Sequence, residues 1–299
     1  MPHITGMNPV RALVERQIDS LVGPSPNDIP FDLSTGDNGL FGPGSVAWDV
    51  HGDFATMMVG GVAALLLQML HPAALAGVWD HSDFRRDMRG RLRRTARFVG
   101  GTTYASTEQA EAMIDRVRRI HDRVSGTLPD GTPYSATDPV LLTWVHVAES
   151  ASFLAAYRRY RDPAMPVARQ DRYFAEVAVV AERLGATNIP RSRAAVDAYL
   201  EAMRPQLRSD ERTRAIAHAL FNPPADTLAV KPMQSLTMAA GIDLLPPWAA
   251  AMHGLTRSRG QRHLVRAGAA SIGMALRWAL SERTARKDSL LRARAASRG

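Results

Sequence analysis

The chain has 299 residues, 45% hydrophobic and 22% charged, which excludes disorder along its length and allows a substantial buried core. It has no cysteine. That excludes a disulfide scaffold, an iron–sulfur cluster, a thiolate zinc site and a thiol nucleophile, and it is compatible with a cytoplasmic, reducing location. Of 37 basic residues only Lys231 and Lys287 are lysine, and against 29 acids they leave a net charge of +8. Such a balance suits nucleic acid, anionic lipid or an acidic small molecule.

The first thirty residues lack a basic segment leading into an apolar one, so no secretory signal is expected. Pro9 to Leu21 has the pattern of a short amphipathic helix, followed by a Gly/Pro/Asn/Asp-rich loop from Gly23 to Gly44. The spacing predicts an apolar helix over Phe54 to Leu70, ended by His71-Pro72; it is too short to span a bilayer and reads as core. Ser82 to Val99 follows as an arginine-rich helix with Ser82 as N-cap, stopped by Gly100 and Gly101. Another helix begins at Thr107, with apolar positions Met113, Val117, Ile120 and Val124. A hairpin is expected at Gly126 to Ala136. Asp138-Pro139 opens a long helix to about Tyr160, apolar nearly all round and therefore central. Further helices are expected at Asp171–Leu184, Ser192–Met203, Asp210–Leu220, Met233–Ala240 and Gln261–Thr284. The fold class is a single all-α domain. Residues 1–50 form an N-terminal helix and loop, 51–280 the helical domain, and 281–299 a basic, frayed tail.

Three features carry chemistry. His121, four residues after Val117 and three before Val124, falls on the buried side of an otherwise basic helix. It is either a core histidine bonded to a backbone carbonyl or an axial ligand to a metal or haem iron. His146 lies in the apolar helix one turn before Glu149, whose carboxylate needs a partner if buried, with His146 or an arginine the nearest choices. From Arg85 to Arg97, seven of thirteen residues are arginine. They cannot all face solvent, and Arg91 shares a face with Thr95, so an inward Arg91 calls for a buried anion.

The order of short motifs resembles the MpaB and latex-clearing-protein (rubber oxygenase) family, over roughly residues 50 to 185. The elements are Leu66-Leu67-Gln68-Met69-Leu70-His71-Pro72, Asp80-His81-Ser82-x-Phe84, Arg91-x-x-x-Thr95, His121-x-x-Val124-x-Gly126, Tyr134-x-Ala136-x-Asp138-Pro139 and Trp144-Val145-His146. The resemblance implies a globin-like helical core enclosing haem b, with His121 where the family's proximal iron ligand falls. It implies distal catalytic roles for Arg91, Arg94 and Thr95, and places His146 and His71 as further cofactor contacts. Latex-clearing proteins can carry a lysine where Arg94 stands; a guanidinium has no lone pair for iron, so the position opposite His121 is expected to be open. The activity implied is a haem-dependent oxygenase acting with dioxygen on an apolar, unsaturated small molecule or lipid, with peripheral membrane contact allowed and no nucleic acid expected. The alternatives are a haem protein without turnover, for storage or sensing, and a basic helical nucleic-acid-binding module.

Overall fold

The computed structural model describes residues 37–84, 86–221 and 231–281. Helix α1 (Val46–Gly52) starts where the Ser45 hydroxyl accepts the Trp48 amide, and Asp53 then ends it and caps α2 (Phe54–Gln68) through the Thr56 amide. The chain bends by 89° between the two. α2 lies against the long central helix α6 (Pro139–Tyr160), and Gly60 is what allows the close crossing. A Cβ there would stand 2.9 Å from the Phe153 ring and 3.0 Å from the Phe153 Cα. Leu66, Leu67, Leu70, Trp144 and Val147 fill this contact and are fully buried. By length and composition α6 could cross a membrane, yet most of it is packed inside the protein.

Pro72 does more than end α2. It occupies the first turn of α3 (Pro72–His81), where its missing N–H costs nothing, and the His71 Nδ1 accepts the Ala73 amide as the cap. The arginine-rich helix is α4 (Met88–Tyr104), which corrects both expected ends. Ser82 is extended and closes α3; the N-cap is Asp87, which accepts the Gly90 amide at 2.7 Å. The Gly100-Gly101 pair does not stop the helix, because Thr102 and Thr103 turn their hydroxyls back onto the Phe98 and Val99 carbonyls and carry it into the core. Ala105 and Ser106 connect it to α5 (Thr107–His121), capped by Ser106. The inner face of α5 is Ala110, Ile114, Val117 and His121; Ile120, expected inside, is 52% exposed because it falls about 120° round the helix from Ile114.

The hairpin forms as expected: β1 (Ser125–Thr127) runs antiparallel to β2 (Pro133–Ser135), with Gly126 opposite Tyr134. The Tyr134 ring lies over Gly126, where a Cβ would meet it at 2.8–3.0 Å, and the Tyr134 hydroxyl donates to Asp80 at the end of α3. Asp138 caps α6 through the Val140 amide. The remaining helices are α7 (Val167–Leu184), α8 (Arg193–Met203), α9 (Glu211–Phe221), α10 (Lys231–Leu244), α11 (Pro247–Met252) and α12 (Arg259–Ala279). Among the described residues the fold is all-α apart from that hairpin. The short helices α1, α3 and α11 escaped the sequence reading, being too brief to show a period. The expected helix at Pro9–Leu21 and the tail after Ser281 lie outside the described residues.

Candidate functional site

Five predicted residues, His71, Arg91, His121, His146 and Glu149, keep part of their surface accessible although burial is the largest influence on their charge. α6 supplies His146 and, one turn on, Glu149. α4 supplies Arg91 from its first turn, and α5 supplies His121 from its last. The two-residue connection reverses the chain between these helices, so Arg91 and His121 both lie at the end remote from the turn.

Arg91 points inward, as its need for an anion suggested. Burial and then the neighbouring Arg94 oppose its charge, and Glu149 supports it. Yet the two form no ion pair, and the Arg91 guanidinium has no hydrogen-bond partner among the described residues. Burial raises the Glu149 carboxyl above its ordinary range, against the opposing pull of the Gln68 amide and Arg91. The side chains that act on the Glu149 carboxyl are therefore Gln68, by a hydrogen bond, and Arg91, by charge alone, and not His146.

The two imidazoles are held neutral. Burial brings His146 down to about 4, and its ring makes no hydrogen bond. Burial also lowers His121, partly opposed by Asp122, and the His121 Nδ1 is sealed from solvent without a partner. A buried nitrogen left so is costly and marks a place where a bound group completes the structure. The carbonyl bond of an ordinary core histidine is not what His121 makes. His71 differs, since its Nδ1 is taken as the cap of α3, and burial lowers it too, with Asp138 opposing.

Thr95 and Arg94 face outward. The Thr95 hydroxyl donates to the Arg91 carbonyl one turn back, and Arg94 pairs with Asp87 at 3.3 Å. Several of the shared motif residues prove to be framework: Tyr134 and Asp80 hold the hairpin to α3, Asp138 caps α6, and the Trp144 indole donates to the Gln68 carbonyl. Sequence reading missed a buried polar chain near Glu149. Thr103 donates to Val99 and so accepts from the His51 Nδ1; the His51 Nε2 then accepts from Tyr173, whose hydroxyl burial and Glu149 keep protonated. These residues sit on four different helices, and no local spacing joins them.

The donor set fits a haem. Among the described residues no three His, Asp or Glu side chains converge as a multi-ligand metal site would require. A haem asks the protein for one neutral imidazole, an apolar surround and a cation for its carboxylates, which His121, the buried face of α6 and Arg91 offer.

Residues 48–277 match the family described as ER-bound oxygenase mpaB/B'/rubber oxygenase, catalytic domain, and the chain belongs to that family. It carries an oxygenase domain of that type. Among solved structures, "Structure of Latex Clearing Protein LCP in the closed state" matches with a TM-score of 0.55 at 15% identity, covering 97% of this chain and 89% of that one. That likeness shows the shared all-α fold. No curated protein matches the chain in sequence.

Proposed function

We propose that the protein is a haem b-dependent oxygenase acting with dioxygen on an apolar, unsaturated small molecule or lipid, with His121 as the axial iron ligand. The observation that carries this reading is His121 itself: a neutral imidazole with a sealed, unpartnered nitrogen, at the position the family motif marks. When bound, the haem supplies the dioxygen chemistry, which no side chain of this protein can perform. Arg91 holds a carboxylate of the group, taking the anion that Glu149 approaches but does not pair. His146, brought down to about 4 by burial, stays unprotonated at neutral pH and offers an acceptor one turn before Glu149, whose carboxyl burial raises. Thr95 orders the first turns of α4 through the Arg91 carbonyl. Arg94, drawn outward by Asp87, would not contact the group.

The test is direct. The purified protein should be coloured, with a Soret band and a positive pyridine haemochrome, and His121→Ala should cut haem content to a small fraction while helix content stays. Full haem in the variant would remove His121 from the role. Haem without oxygen uptake on any alkene would leave a storage or sensing protein instead.

A further inference from the structure

Asp243, on α10, gathers more positive charge than it can neutralise. Its carboxylate is fully buried and accepts from Arg159 Nη1 of α6 and from the Nε of Arg262 and of Arg266 of α12, each at 2.7 Å. Three guanidinium groups meet one carboxylate, which leaves a surplus of two positive charges at one joint. Other acids on these helices do not reduce it. α12 contains no acidic residue, α10 only Asp243, and α6 only Glu149, ten residues before Arg159 and about 15 Å away along the helix. Asp53 and Asp162 are taken by Arg277 and Arg169.

The three arginines are fixed by the carboxylate and still open to solvent. Their side chains are 32%, 41% and 36% exposed, although the Asp243 side chain is not exposed at all. Both terminal nitrogens of Arg262, the Nη1 of Arg266, and the Nε and Nη2 of Arg159 make no hydrogen bond among the described residues. Those of Arg262 and Arg266 are not sealed from solvent. The Tyr160 hydroxyl, near enough to feel the charges of Asp243, Arg159 and Arg266, is sealed without a partner beside the same joint. Two arginines would suffice to tie α6 and α12 to α10; the third adds a repulsion that a bound anion relieves. A guanidinium presents its donors in a planar fork that matches phosphate oxygens, and holding it in place beforehand lowers the cost of binding. A phosphate with one ester bond or none carries close to two negative charges at neutral pH, which matches the surplus, whereas a diester carries one. We propose that the arginines around Asp243 form a binding site for a phosphate group, either the free ion or the monoester of a small molecule. None of these residues takes part in the proposed oxygenase chemistry.

Calorimetric titration of the full chain tests it, with inorganic phosphate and glycerol 3-phosphate as probes in sodium chloride of constant ionic strength. A single phosphate should bind per chain. Arg262→Gln should weaken that binding about tenfold or more, the effect of losing a charge-assisted hydrogen bond, while circular dichroism shows the helices intact. Arg191→Gln, at an exposed pair with Glu182, should leave it unchanged. That control separates a defined site from the general attraction of anions to a chain of net charge +8. Tighter binding of glycerol 3-phosphate would support the proposal and assign the site to an ester; tighter or equal binding of inorganic phosphate would support it and assign the site to the phosphate group alone. No binding above the chloride background, undiminished binding by Arg262→Gln, or equal losses in the Arg262 and Arg191 variants would each overturn it.

Discussion

At the level of single residues, the sequence pointed correctly where one face of one helix decides the answer. The period puts His121 on the buried side of its helix, and the crowding of seven arginines into thirteen residues implies that one turns inward, as Arg91 does although Thr95, assigned to the same face, points out. His71 and Arg94 were not legible, because their surroundings depend on short-range partners the period does not reveal: the Ala73 amide for one and the Asp87 carboxylate for the other. His146 carries the clearest consequence of burial. Its imidazole falls from 6.5 to about 4, so the unfolded chain takes up a proton that the folded protein refuses. The stability it contributes is full above 6.5 and is lost as the pH falls through the window down to about 4, by about 3 kcal/mol from a shift of that size. Glu149 works in the opposite sense, since its raised carboxyl favours the fold at low pH and costs stability once ionised. Urea midpoints of the wild type and His146→Gln separate the two: the variant should lose less stability than the wild type between neutral and acid pH. Parallel curves would mean that His146 has no part in acid unfolding. Arg91→Ala should lower haem retention without loss of helix, whereas Arg94→Ala, at an exposed ion pair, should change neither.

At the level of elements, most helices were legible from period and caps; the proline stop before His71-Pro72 holds, and the error came from reading a glycine pair as a stop. Pro72 opens α3, and Gly100-Gly101 sit inside α4, because a helix held by the core tolerates about 1 kcal/mol of glycine penalty. The first glycine pair shows how much of this only three dimensions can reveal. Gly60 and Gly61 are adjacent in one helix and identical to any sequence rule. Gly60 faces α6, where a Cβ would press on the Phe153 ring and backbone and lie 3.1 Å from the Ser152 carbonyl, while Gly61 has nothing within 4 Å. Gly60→Ala should therefore force α2 and α6 apart and cost about 1–3 kcal/mol. Gly61→Ala should stabilise the same helix by roughly 0.4–1 kcal/mol, because only the unfolded chain loses freedom. Thermal melts of the two variants decide it, and shifts of the same sign would show that the α2–α6 crossing is not as close as described. Gly241, where a Cβ would come 2.4 Å from Val62, should behave like Gly60.

At the level of the whole molecule, the excess of arginine is not spread evenly over a solvated surface. Much of it is turned inward and used as joints between distant parts of the chain, which composition could not disclose. The Asp243 joint is the strongest case. Its carboxylate is completely buried and receives Arg159 from α6 and Arg262 and Arg266 from α12, each at 2.7 Å. Burial alone would raise this carboxyl. The hydrogen bonds from Arg266 and Arg262 and the attraction of Arg159 outweigh it and hold the group below its ordinary 3.8. Its contribution is therefore present above that value and lost only as the pH falls through the depressed folded one, so the joint survives the acid window in which His146 fails. Asp243→Asn keeps the shape and removes the charge, leaving three guanidinium groups facing one another around a neutral amide. The loss should be about 3 kcal/mol or more, since breaking a buried pair strands the remaining charges. Arg262→Gln removes one partly exposed donor of three and should cost no more than about 1 kcal/mol. Urea unfolding at neutral pH measures both. Equal, small losses would mean that α12 is held by its apolar underside alone. A large loss confined to Asp243→Asn would identify the carboxylate as the anchor that holds Arg262 and Arg266, and with them α12, against α6.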